Sequence, residues 1–74
     1  MMDRPEDSTL YTRAHAASQL APNQRLRLDR DPDTVMIYRG FFVDNGDLDL
    51  ENTVTGERIR VTEDNEARYW LRPL

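Results

Sequence analysis

Two stretches of the chain carry residue types with a recognisable chemistry. In "ARYWLRPL", residues 67–74, Arg68, Trp70 and Arg72 alternate with Tyr69 and Leu71, so a strand there sets two guanidiniums and the single tryptophan on one side. In "QRLRLDR", Arg25 and Arg27 alternate with Leu26 and Leu28. Arginine beside an exposed aromatic is the composition of a single-strand nucleic-acid platform, and equally of a protein interaction hot spot. If the meander closes into a small barrel, the last strand lies beside the first, and Arg25, Arg27, Arg68 and Arg72 surround Trp70 on one outer surface. Against both stands the plainer reading that Trp70 packs inside, because tryptophan is highly buried on average.

Catalysis is hard to assemble from the remaining residues. His15 is the only histidine, and the chain has neither cysteine nor lysine, so the usual nucleophile and base pairs are missing. His15, between Ala14 and Ala16, reads as a surface residue, and Ser8 and Ser18 read as capping or exposed helix serines. Hydrolysis by two carboxylates needs a cleft that a domain of this size seldom encloses. "DPD" and "DNGDLD" only loosely match a calcium loop, since the twelfth position counted from Asp44 is Thr55 where a glutamate is required. The three glycines lie too far apart for a phosphate loop. No catalytic residue, cofactor site or metal ligand set is therefore expected, and the chain is read as a non-enzyme.

Seventy-four residues allow one small domain, which buries only about 60% of the surface its unfolded chain exposes. At 38% hydrophobic and 32% charged residues the composition is that of a folded chain. Without cysteine, disulfides and thiolate zinc cannot brace the fold, and self-association is a plausible substitute. A net charge of −4 repels nucleic acid and anionic membranes, so any such binding would need a local patch. No stretch approaches the roughly 18 apolar residues of a membrane span, and the chain is read as soluble and cytoplasmic.

Prolines and glycines punctuate the chain into its elements. Residues 1–6 are expected to be a flexible N-terminus. In "EDSTLYTRAHAASQLA" Leu10, Ala14, Ala17 and Ala21 form one thin helical stripe beside Leu20, with Asp7 or Ser8 as N-cap and Pro22 as the stop, which predicts a helix over 7–21. From residue 23 to 74 the period becomes two. "QRLRLDR", "TVMIYRGFFV", "DLDLEN", "ERIRVT" and "ARYWLRP" read as five short strands, joined by "DPDT", "DNGD", "TVTG" and "EDNE". Pro32 suits the second position of a turn, and Asn45-Gly46 is the strongest short hairpin signal in the chain.

A two-residue turn at Asn45-Gly46 places Val43 opposite Leu48, Phe41 opposite Leu50 and Gly40 opposite Glu51. A four-residue loop at 53–56 places Leu50 opposite Ile59 and Leu48 opposite Val61, so both turns put Phe41, Val43, Leu48, Leu50, Ile59 and Val61 on one face. The other face then opposes Glu51 to Arg58 and Asp49 to Arg60, cross-strand ion pairs worth about 0.2–1 kcal/mol each. Arg58 and Arg60 are thus read as neutralised by the neighbouring strand more than as a binding surface, and Gly40 as a bulge or bend. Met36, Tyr38 and Phe42 fall on the far face of the second strand, where the helix or a second copy must cover them.

Together these observations predict a mainly β (α+β) domain, a short N-terminal helix followed by a five-stranded antiparallel meander, as a bent sheet or small barrel. In strand count and tight turns it resembles SH3-like and Tudor-like barrels, a likeness of architecture that implies no one function. The expected role is a non-catalytic protein-protein interaction module, with a protein partner or a second copy docking around Tyr38, Phe42 and Trp70. The alternative is a nucleic-acid-binding small barrel using Arg25, Arg27, Arg68, Arg72 and Trp70, which the net charge disfavours.

Overall fold

A computed structural model describes residues 10–74. The expected flexible segment 1–6 and the helix N-caps Asp7 and Ser8 lie outside the described residues. Among those described, one helix, α1 (Arg13–Gln19), precedes strands β1 (Gln24–Leu28), β2 (Val35–Phe41), β3 (Leu48–Asn52) and β4 (Arg58–Val61). A 3₁₀ turn (Glu66–Tyr69) then leads into β5 (Leu71–Pro73). The strands form one antiparallel sheet in the order β4-β3-β2-β1-β5. β5 lies beside β1 without closure of the sheet, so the meander runs only from β1 to β4 and the last strand crosses to the opposite edge. The sheet stays open, with β4 and β5 at its edges, so the barrel alternative does not hold. Outside β5, Tyr11 exchanges two backbone hydrogen bonds with Leu71, at 2.8 and 3.1 Å.

The helix is shorter than its apolar stripe implied. Tyr11 is already extended, Thr12 is the N-cap, and no side chain caps it. Ala14 and Ala21 are exposed, whereas Ala16 and Leu20 are buried against the sheet. Alanine 16 lets the helix backbone approach closely, which a larger residue at that position would prevent. Pro22 and Asn23 then reverse the chain: Gln24 N–H donates to the Ala21 carbonyl at 3.1 Å, and Asn23 takes a φ of 72°. Proline at the second position and asparagine at the third are what such a turn demands.

Two later loops are one structure used twice, ten residues apart. Phe42 N–H donates to Asp47 O at 2.8 Å and Gly46 N–H to Phe42 O at 2.7 Å. Likewise Asn52 N–H donates to Glu57 O at 2.9 Å and Gly56 N–H to Asn52 O at 2.8 Å. Gly46 and Gly56 share a φ of 77°, the left-handed region that other L-residues enter only at a cost. Side chains repeat as well, since Asn45 Oδ1 and Thr55 Oγ1 each accept the N–H two residues on, both at 3.1 Å.

The expected two-residue turn at Asn45-Gly46 is therefore a four-residue loop, because Asn45 does not take a positive φ. Phe41 consequently faces Leu48, and Val43 stands 84% exposed in the loop. A bulge at Arg39–Gly40 adds a residue to β2, so Gly40 faces Asp49 while Tyr38 faces Leu50 and Ile37 faces Glu51. That extra residue flips the alternation. Met36 and Tyr38 thereby join Leu26, Leu48, Leu50, Val61 and Leu71 in the core under α1, and Phe41 is left 46% exposed. Between β3 and β4 all four expected pairs occur: Leu48↔Val61, Asp49↔Arg60, Leu50↔Ile59 and Glu51↔Arg58.

Two outcomes follow for stability. Replacing Gly56 by alanine puts a Cβ where nothing lies within 4 Å, so the loss should be the bare backbone cost, about 1–2 kcal/mol in urea denaturation. Burial raises the pKa of the Tyr38 phenol above its ordinary value. The unfolded chain then ionises first, and stability should fall as pH rises above about 10, with no contribution from Tyr38 below that. Urea midpoints measured from neutral to strongly alkaline pH should show a shallower alkaline loss in Tyr38→Phe; an equal loss would contradict the assignment.

Candidate functional site

Alternation along β1 buries Leu26 and turns Arg25 and Arg27 to the face away from α1. On β2 the same face carries Val35 and Ile37, half-buried, and on β3 Asp49 and Glu51. Register extends this into rows: Arg58, Glu51, Ile37 and Arg25 lie side by side across four strands, and Val35, Arg27 and Arg72 across three. The outer face is thus an aliphatic strip on β2 with arginines on both flanks and an acidic column on one.

The acidic column is spoken for. Arg58 is held by Asp49, and that hydrogen bond raises its already high pKa further. Arg60 Nε donates to Asp47 Oδ2 at 2.9 Å. Both arginines reach one row away from the residue they directly face, a diagonal contact that the twist of paired strands permits. Neutralisation of Arg58 and Arg60 across β3 and β4 is therefore present with partners shifted by two residues. Glu51, released by this shift, meets Arg39 Nε at 3.5 Å, and Arg39 also donates to Asn23 Oδ1 at 2.8 Å.

At the end of β3, Asp47 is only 6% exposed and gathers several segments. Arg13 from α1 approaches its Oδ1 at 3.4 Å and donates to the Asn45 carbonyl at 2.9 Å. Arg13 Nε is buried and lies 3.9 Å from Glu66, within ion-pair range but beyond a hydrogen bond. The Arg60 guanidinium also stacks on the Phe42 ring, 4.0 Å from its centroid. Beside this hub is a polar depression of about 370 Å³ lined by Arg13, Asn45, Asp47, Thr62, Glu63 and Asp64. Among the described residues no three His, Asp or Glu side chains converge as a metal site would require.

On the β1–β5 side the arginines differ in their partners. Arg25 and Arg27 are exposed and make no side-chain ion pair or hydrogen bond among the described residues. Arg27 directly faces Arg72, whose Nε donates to Asp29 Oδ1 at 2.7 Å. Arg27, Leu28, Asp29, Pro32 and Arg72 line a shallow depression of about 320 Å³.

The structure sorts the sequence-derived candidates unequally. Arg25, Arg27 and Arg72 share the outer face. Arg68 does not join them through strand alternation, because residues 66–69 form a 3₁₀ turn and β5 begins only at Leu71. Tyr38 is 1% exposed and belongs to the core, so it is no part of a surface. Phe42 is 39% exposed beneath Arg60, on the far side of the acidic column. Trp70 is half-buried, and its indole N–H is buried without a hydrogen-bond partner, so it offers no flat exposed ring. Val35 and Ile37 are the residues the sequence reading missed, and their signal was the alternation itself once the bulge is placed.

No family model, curated protein or solved structure matches the chain.

Removing the Asp47 carboxylate should be far costlier than removing a surface one. Asp47→Ala leaves Arg13 largely buried without its partner and should cost about 3 kcal/mol, whereas Asp49→Ala should cost under about 1 kcal/mol. Chemical denaturation of the two variants checks this, and similar losses would refute the hub's role.

Proposed function

We propose that the chain is a small non-catalytic protein-interaction module whose outer sheet face, on the β1–β2–β5 side, is the docking surface. One observation carries this reading. Of the sheet arginines, Arg39, Arg58, Arg60 and Arg72 each hold a carboxylate, while Arg25 and Arg27 hold none among the described residues and flank the half-buried Val35 and Ile37. Arginine beside aliphatic surface is the make-up of an interface rather than of a solvated face, because the stems bury apolar area while the heads accept specific partners. The nucleic-acid reading has less support here, since the tryptophan it needs as a stacking platform is half-buried and Asp49 and Glu51 share the face.

The test reverses charge where it is unpaired. Tagged chain should retain a partner that the double variant Arg25→Glu, Arg27→Glu loses, while Arg68→Glu, on the 3₁₀ turn, retains it. Light scattering over a concentration series shows whether that partner is a second copy. Retention by the double variant, or equal loss in Arg68→Glu, would reject this surface.

A further inference from the structure

The unpaired arginines also specify what chemistry should meet them, and the molecule contains its own template. On β4, Arg58 and Arg60 stand two residues apart and are held by Asp49 and Asp47, carboxylates with the same two-residue spacing on an extended neighbour. On β1, Arg25 and Arg27 repeat that spacing on the same face of the sheet, roughly 7 Å apart along the strand, and no carboxylate meets them among the described residues. Arg27 is moreover set directly against Arg72, an opposition of like charges that disfavours the pair unless an anion lies between or above them. Asp29 meets Arg72 at 2.7 Å.

Resting on the docking surface proposed above, we infer that its occupant is an extended acidic peptide segment of a partner protein, with carboxylates at alternate residues and an aliphatic or small side chain between them. The two carboxylates meet Arg25 and Arg27, in the rows of Ile37 and Val35, and the residue between them projects away from the sheet. An extended strand projects alternate side chains to one side at about the interval that separates the two arginines. A segment running along β1 therefore satisfies both guanidiniums without bending.

A phosphate backbone fits this face less well. Asp49 and Glu51, two strands from β1, hold Arg58 and Arg39, and Asp47 holds Arg60, so a nucleic acid spanning the sheet finds no further unpaired arginine over β3 and β4 among the described residues. A peptide bearing two carboxylates is short enough to stay over β1.

Full-length chain titrated with fluorescein-labelled peptides tests the inference. The sequence STEVETS carries the alternate acids, STEEVTS sets them adjacent, STQVQTS removes the charge, and a twelve-nucleotide oligothymidylate is the competing polyanion. Saturable binding of STEVETS is expected at about 50 mM salt and should weaken as salt rises. The double variant Arg25→Gln, Arg27→Gln should weaken it about tenfold, and STEEVTS and STQVQTS should bind several-fold more weakly or not at all. Arg58→Gln should bind as the parent does, and unchanged circular dichroism of each variant excludes a folding defect. Absence of STEVETS binding, equal binding of STEEVTS, or indifference to the double glutamine variant would overturn the inference. Oligothymidylate binding as tight as STEVETS through the same arginines would overturn it in favour of nucleic acid. The broader reading fails separately: a captured partner lost on charge reversal, with no STEVETS binding, removes only the acidic-peptide inference, whereas capture indifferent to charge reversal removes both.

Discussion

Folding takes the Asp47 carboxylate almost wholly out of water, and the effective cost of doing so is several kcal/mol unless cations and donors arrive with it. Here they come from distant parts of the chain. Arg13 belongs to α1 and Arg60 to β4, and Arg13 also donates to the Asn45 carbonyl of the hairpin loop at 2.9 Å. The carboxylate is compensated only when helix docking, hairpin geometry and the β3–β4 register are in place at once. A slip of one residue in β4 would turn Arg60 to the core face and leave Asp47 without it. In a domain this small, where no disulfide is possible, one buried charge couples elements that otherwise meet through a thin core.

The same interaction divides the outer face. By holding Arg60, and through it the Phe42 ring, Asp47 completes a charge-balanced half over β3 and β4. β4 is an edge strand, and its charged side chains are a common defence against pairing with another sheet. Asn65 adds to that defence by donating to the Arg60 carbonyl at 3.1 Å. At the opposite edge, β5 is short, contains Pro73 and is covered by Tyr11. Both edges are thus protected by means that leave the arginines of β1 untouched. Exposed ion pairs contribute little stability, so the lack of partners at Arg25 and Arg27 among the described residues costs the fold almost nothing.

Much of the architecture was legible because strand alternation and turn residues are local signals. The five strands, the Pro32 turn, the 53–56 loop and the full β3–β4 register follow from them directly. β2 was not legible in the same way, because two effects combined there. Asn45-Gly46 admits either a two-residue or a four-residue reversal, and only the ten-residue echo between "VDNG" and "TVTG" argues for the latter. Gly40 reads as a bulge or a bend, and only a bulge inverts every side chain beyond it, which is what assigns Met36 and Tyr38 to the core. The surface inherited the error: Tyr38 was placed outside, while Val35 and Ile37 went unnoticed. The helix is shorter than its stripe for another reason, since the apolar spacing from Leu10 to Ala21 does not reveal that Tyr11 bridges to Leu71.

The ten-residue echo continues once more and then fails, and the failure shapes the molecule. "EDNE" occupies the place of "VDNG" and "TVTG", and Asn65 N–H donates to Thr62 O at 3.3 Å just as Asn45 N–H donates to Phe42 O at 3.3 Å. Where the earlier loops have glycine, this one has Glu66. Glutamate does not enter the left-handed region cheaply, so the chain cannot return antiparallel to β4 and instead winds into the 3₁₀ turn. The last segment is thereby carried away from β4 and delivered beside β1. A third copy of the loop would have extended the meander past β4, leaving β1 as an edge and Arg72 far from Arg27. Replacing one glycine by glutamate in the repeat both ends the meander and assembles the arginine-bearing side of the sheet.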